Sequence, residues 1–179
     1  PSYGNSQFRG YFLKDGGYYW AINDYLDLTL QGDIYTQGGF GVRASTNYKK
    51  RYKFNGSLSF DYDLLKFGRP EFAEFVRSAF SDQSNFSLRW NHSQDAKAHP
   101  TNRFSANVNI ASSSYNQVTQ TQPQNVLQNR LNSSISFSKN WQGKPFNLNV
   151  TLNHSQNNQS KDLSLTLPNF NFSMNRFTP

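Results

Sequence analysis

The sequence contains no cysteine, which excludes disulfide bonds and thiolate-held metal sites. It also lacks any run of about 18 apolar residues, so no helix spans a membrane. That absence leaves spanning strands open, because each needs only about 9–11 residues. Hydrophobic residues make up just 35% of the chain, enough only for a thin soluble core. Acids are few as well: 11 Asp plus Glu face 18 Lys plus Arg, a formal charge of +7. The excess fits ordinary solubility or attraction to an anionic polymer or lipid. No cleavable signal segment is visible. The chain opens at Pro1 without a Met, and we expect a piece of a longer protein.

What is abundant resolves the shortage. The chain carries 16 Phe, 10 Tyr and 3 Trp, whereas disordered chains are poor in aromatics. Asn, Ser, Gln and Thr supply much of the rest. A barrel wall uses both classes, with large apolar groups against lipid and polar groups toward a wet interior.

The residues follow that pattern with a period of two. In 145–154, Phe146, Leu148, Val150 and Leu152 oppose Asn147, Asn149, Thr151 and Asn153. In 103–111, Phe104, Ala106, Val108 and Ile110 oppose Ser105, Asn107 and Asn109. Leu131, Ile135 and Phe137 oppose Asn132, Ser134, Ser136 and Ser138, and Phe86, Leu88 and Trp90 oppose Ser87, Arg89 and Asn91. Tyr52, Phe54, Leu58, Phe60 and Tyr62 oppose Asn55, Ser57, Ser59 and Asp61. Leu26, Leu28, Leu30 and Ile34 oppose Asp27, Thr29, Gln31 and Asp33.

Soluble sandwiches and extracellular solenoids alternate too. Long strands and a wide sheet favour a barrel. So do aromatics near strand ends, at Tyr25, Tyr35, Tyr48, Tyr62, Trp90, Tyr115 and Trp141, as an interfacial girdle requires. The expected fold is all-β: an antiparallel transmembrane β-barrel wall over 1–179, roughly nine or ten strands of a larger barrel. In hydrocarbon every backbone amide must pair, so free edges must be completed by further strands or another chain.

The links suggest an orientation. One set is short, at 23–24, 49–51, 95–101 and 141–144. The alternate set holds two long links, at 64–84 and 116–128, and brief ones near 36–39 and 157–160. Short turns are expected to face the periplasm and long loops the exterior. Within 71–80, Phe72, Phe75, Val76 and Phe80 fit a short helix over the barrel mouth or an irregular loop. Asn91-His92-Ser93-Gln94 recurs as Asn153-His154-Ser155-Gln156, through hairpin duplication or convergence on a polar strand end.

Nothing in the residues reads as an enzyme, a cofactor site or a metal site. His92, His99 and His154 lie in no metal motif, and a structural role at the membrane boundary is expected for His92 and His154. Asp24, Asp27, Asp33, Asp61 and Asp63 form no spaced pair with an evident base. Gly16-Gly17 and Gly38-Gly39 lack phosphate-loop spacing and are expected in bends or turns. The Asn-x-Ser triplets at Asn85, Asn91 and Asn153 fit chance in so Asn- and Ser-rich a chain. The run Lys49, Lys50, Arg51, Tyr52, Lys53 is the strongest basic feature. It reads as a charged membrane-proximal turn, or as a contact for anionic lipid phosphates in the leaflet or in transit. No recognition fold for nucleic acid surrounds it.

The opening residues carry a resemblance. Pro1-Ser2-Tyr3-Gly4 precedes Arg9-Gly10-Tyr11-Phe12-Leu13, then Gly17-Tyr18-Tyr19-Trp20-Ala21-Ile22 and Asp24-Tyr25-Leu26-Asp27-Leu28-Thr29-Leu30. Gly32-Asp33-Ile34-Tyr35 and Gly38-Gly39 continue it. This resembles the start of the barrel in the LptD family, the lipopolysaccharide-assembly or organic solvent tolerance proteins of the outer membrane. Tyr48-Lys49-Lys50-Arg51-Tyr52 and Asn91-His92-Ser93-Gln94-Asp95 resemble the Bacteroidetes branch. The match covers about the first forty residues closely and the later strands by style.

The resemblance implies a two-part machine. A periplasmic jellyroll takes lipopolysaccharide from bridge proteins. A large barrel, plugged by a lipoprotein of the LptE type, releases it into the outer leaflet through a lateral gate between first and last strands. Outer-membrane lipids surround it. The jellyroll and the remaining strands lie outside this sequence. Residues 1–4 would belong to the first strand, 11–22 to the second and 25–35 to the third. The implied gate region holds Pro1, Gly4, Gly16, Gly17, Tyr18, Tyr19 and Trp20. Pro1 matches an earlier proline of the family and would interrupt the first ladder. Many proteobacterial relatives have a second proline just before Tyr-Tyr-Trp; this chain has Gly16-Gly17, which bends a strand but keeps its amide donors. Asp27, Thr29, Gln31 and Asp33 are expected to face the lumen. A general porin or receptor-type barrel, and a structural or adhesin-like β-sheet, remain the rival readings.

Overall fold

The computed structural model describes residues 1–6, 9–67, 81–112, 130–158, 160 and 162–174. The described residues form ten strands: β1 (Ser2–Ser6), β2 (Gly10–Asn23), β3 (Leu26–Tyr35), β4 (Gly39–Lys50), β5 (Phe54–Phe67), β6 (Ser81–Gln94), β7 (Asn102–Ala111), β8 (Arg130–Asn140), β9 (Phe146–Asn157) and β10 (Asp162–Met174). Each pairs antiparallel with its sequence neighbour, and one ten-stranded sheet runs in order from β1 to β10. The fold is the all-β, antiparallel wall that the alternation predicts. It is open among the described residues, with β1 and β10 at its edges.

The turns at one end are 24–25, 51–53, 95–101 and 141–145, matching the short set within a residue or two. Asn23 Oδ1 accepts from the Tyr25 amide at 2.9 Å in the first. The Lys53 amide donates to the Lys50 carbonyl at 2.9 Å in the second. At the other end the link 64–84 is narrower than expected. Leu64 pairs with Ser84 and Phe67 with Ser81, so the ladder leaves only 68–80 between β5 and β6. The adjacent apolar pair Leu64-Leu65 hides this continuation from a period-two reading. Tyr62 consequently lies inside β5 rather than at a strand end. The helix-or-loop alternative for 71–80, the link 116–128 and Tyr115 fall outside the described residues.

Register carries the alternation across the sheet. Thr29 pairs with Ser45, Ser45 with Ser59, Ser59 with Arg89 and Arg89 with Asn109. On the opposite face Leu30 pairs with Ala44, Ala44 with Phe60, Phe60 with Leu88 and Leu88 with Ile110. Leu65, Ala106, Ala111 and Leu131 are buried, but over β3, β5 and β6 polar and apolar residues exchange the places they hold in a soluble protein. Asp33, Asp63, Asn85 and Ser87 on the polar face are buried, while Leu30, Ile34, Phe60 and Phe86 on the apolar face are exposed. Such a sheet meets apolar solvent on one side.

Candidate functional site

The β1–β3 corner holds the residues expected at a gate. Ladder pairing of β1 covers only Gly10 to Lys14 of β2, so 16–23 of β2 has a partner on the β3 side alone among the described residues. Pro1 precedes the paired residues, and Gly4 pairs with Phe12. Gly16 and Gly17 pair with Gly32 and Gln31, so they keep their ladder to β3. Gly17 answers a close approach: a Cβ there would collide with the Leu30 carbonyl and the Gln31 side chain. The aromatic run splits between faces. Tyr19 pairs with Thr29 on the polar face, whereas Tyr18 and Trp20 pair with Leu30 and Leu28 on the apolar one.

A bulge in β2 lies immediately before the glycines. Register shifts between Leu13 and Gly16, and Asp15 takes a left-handed φ of 57°, a conformation costly for a non-glycine residue. Its amide donates to Asp33 Oδ1 at 2.8 Å. Arg43 Nη2 lies 2.6 Å from Asp15 Oδ1 and 2.9 Å from Asp33 Oδ1. One guanidinium on β4 thus ties the bulge of β2 to β3. Arg89 and Asp61 make a looser pair at 3.9 Å nearby. The sequence reading took in Asp33 but missed Asp15 and Arg43. Aligning the β2–β3–β4 meander on its turns would have brought the three together.

Asp27, Thr29, Gln31 and Asp33 share one face of β3, as their alternation demands. Farther along, a neutral polar row crosses the sheet. Asn47 pairs with Ser57, Ser57 with Asn91, Asn91 with Asn107, Asn107 with Ser134, Ser134 with Asn153 and Asn153 with Thr166. Asp27 extends it, accepting from the Asn47 amide at 2.8 Å. Two hollows open along this row. One of about 530 Å³ is lined by Asn47, Lys49, Asn55, Ser57, Asn91 and Asn107 among others. The second, of about 340 Å³, adds Asn132, Asn153 and Ser155.

The apolar face at the short-turn end carries an aromatic belt. Tyr48, Phe54, Trp90, His92 and Phe104 touch ring to ring at centroid distances of 5.3–6.2 Å. Trp90 Nε1 donates to Tyr48 Oη at 2.8 Å, and Tyr48 Oη lies 2.9 Å from His92 Nδ1. Gly56, between Tyr48 and His92 in the ladder, leaves room for the Tyr48 ring, which a Cβ would strike. Cations continue the belt. Lys50 Nζ lies 5.1 Å from the Tyr25 centroid and Lys139 Nζ 5.1 Å from that of Trp141. Arg51 Cζ and Lys97 Nζ lie 4.9 and 5.2 Å from the centre of Tyr52.

The histidines take structural contacts: His92 in the belt, His154 3.3 Å from Ser133 Oγ and His99 3.0 Å from Thr101 Oγ1. Among the described residues no group of His, Cys, Asp or Glu is arranged to hold a metal. The two Asn-His-Ser-Gln copies lie at opposite ends of the sheet, one closing β6 at the short turns and one closing β9 at the other end. That placement favours convergence over hairpin duplication.

A search of curated proteins finds no match. A family model described as LptD protein matches residues 1–179. The match spans all ten strands, and the chain belongs to the LptD family of outer-membrane proteins.

Proposed function

We propose that this chain is the gate-side part of a larger barrel in the cell outer membrane, and that the barrel delivers lipopolysaccharide to the outer leaflet. Acyl chains leave sideways past the β1–β2 edge while the sugar-phosphate head passes along the polar face. The observation that carries this reading is the neutral row from Asn47 to Thr166 with its two hollows. Asn, Ser and Thr offer a glycan many exchangeable hydrogen bonds, each of about 0.5–1.5 kcal/mol net, and hold it nowhere strongly. Of the cations on this face, Arg43 is already occupied by Asp15 and Asp33, while Lys49 at the rim of the first hollow has no carboxylate within 4 Å among the described residues.

On the same reading the short turns face the periplasm. A jellyroll and further strands outside this chain complete the protein, bridge proteins feed the jellyroll, and a lipoprotein of the LptE type plugs the barrel. Family membership supports that partner set.

The test is site-specific photo-crosslinking in the full-length protein with the transport bridge active. Probes at Tyr19 and Asn107 sample the polar face; probes at Tyr18 and Trp20 sample the apolar one. Lipopolysaccharide adducts are expected from both groups. Failure to crosslink from every one of these positions would overturn the reading, and passage of small solutes without adducts would favour a general porin.

A further inference from the structure

Two turns at the short-turn end are stitched together. The Asp95 amide donates to the Lys53 carbonyl at 2.9 Å, so the 95–101 turn leans on the 51–53 turn. Tyr52 sits at the tip of the latter with a left-handed φ of 60° and is half-exposed. That backbone is costly for a large side chain, yet it brings one ring within reach of cations from both turns. The Asp95 carboxylate accepts from the Lys97 backbone amide at 2.9 Å and makes no ion pair with the Lys97 ammonium. Among the described residues, Lys50, Arg51, Lys97 and Lys139 have no carboxylate within 4 Å, although Arg43 and Arg89 do.

We propose that Arg51, Lys97 and Tyr52 form a phosphate-binding site for an anionic phospholipid of the leaflet that meets the short turns. This rests on the membrane-wall reading above but not on what the barrel transports. Charge complementarity argues for the occupant: the two cations sharing one ring have no carboxylate within 4 Å of their charged groups among the described residues, and their turns adjoin an aromatic belt. Aromatic belts mark the head-group level of a bilayer. Each cation near an anionic surface is drawn to it. The Arg51 guanidinium and the Lys97 ammonium beside the ring would hold the phosphate, and the acyl chains would run along Phe54, Trp90 and Phe104. Lipopolysaccharide phosphates share this chemistry; the neighbouring belt cations Lys50 and Lys139 belong by alternation to the apolar face, which favours the leaflet lipid, and the lipopolysaccharide arm below separates the two sources.

The experiment is native mass spectrometry of the full-length protein released from mixed vesicles of phosphatidylcholine and phosphatidylglycerol, with lipopolysaccharide added in a parallel arm. The Arg51→Gln/Lys97→Gln double variant is expected to retain about thirtyfold less phosphatidylglycerol, with phosphatidylcholine unchanged. Tyr52→Phe should keep retention and Tyr52→Ala should lower it. Lys144→Gln, a nearby turn cation without a ring partner, should change little. Equal loss of both phospholipids, or a loss from Lys144→Gln as large as from the double variant, would overturn the site. Loss of lipopolysaccharide with phosphatidylglycerol unchanged would also overturn it, assigning the cations to the cargo. An unaltered β-sheet circular dichroism spectrum separates these outcomes from misfolding.

Discussion

In the polar face Arg43 lies within 3 Å of two carboxylates. At the short-turn end the charged groups of Arg51 and Lys97 lie about 5 Å from the centre of a phenol ring and make no ion pair among the described residues. The surroundings explain the difference. Asp33 is almost enclosed, with 5% of its side chain exposed, and an enclosed charge must be paired to be tolerated. The turn-end cations reach solvent, where an ion pair contributes little, so they remain available for a phosphate. Where charge is internally cancelled it fixes strand geometry; where it is left open it can bind.

Arg43→Ala attacks the first half of that comparison and should have the largest effect. It leaves the Asp33 carboxylate enclosed beside Asp15 and loosens the bulge. Losing one partner of a fully buried pair costs about 3–5 kcal/mol. Arg43 and Asp15 are 31% and 53% exposed, so solvent screening lowers the expectation to about 2 kcal/mol. Urea unfolding of the full-length protein in micelles measures it. Adding Asp33→Asn should recover part of the loss, because the two side chains share one interaction. A change within experimental error would show that the bulge stands without its ion pairs. Gly17→Ala probes the same corner from the backbone side. Its Cβ meets the Leu30 carbonyl, and overpacking of that kind should cost about 1–2 kcal/mol, measured by the same unfolding.

Much of this fold was legible because the physics is local. Leu26-Asp27-Leu28-Thr29-Leu30-Gln31 states its two faces outright, and turns such as 95–101 interrupt the alternation visibly. Where a bulge resets the period, the signal weakens. In β10, Leu163 and Leu165 share a face with Phe170 and Phe172 only because register shifts between Thr166 and Asn169. The candidate site was less legible for a related reason. Asp15 meets residues 18 and 28 positions away, and Lys97 meets the ring of Tyr52 across two turns. No window of sequence contains such pairs. Lys49, Lys50, Arg51 and Lys53 announced a basic turn, but not the ring that organises it or the Lys97 that completes it.

Tyr48→Phe tests whether the turn-end belt relies on polar contacts as the bulge does. It removes the hydroxyl that accepts from Trp90 Nε1 and meets His92 Nδ1. The rings stay packed, so the cost should be about 1 kcal/mol, with a shift in Trp90 fluorescence. A loss as large as that of Arg43→Ala would erase the contrast between the two regions.

Lys139→Met should have the smallest effect and is the most discriminating. Methionine keeps an aliphatic stem over Trp141 and removes only the ammonium. An exposed cation over an aromatic ring contributes about 0.5–1 kcal/mol, and in neutral detergent the loss should be no larger. Micelles doped with an anionic phospholipid add a second partner for Lys139, so the loss there should grow. Salt should shrink the difference between the two micelles, because it screens an exposed charge. Arg43→Ala should respond far less to the detergent charge, since its partners Asp15 and Asp33 belong to the protein. If Lys139→Met costs the same in both micelles, the turn-end cations act on their rings alone.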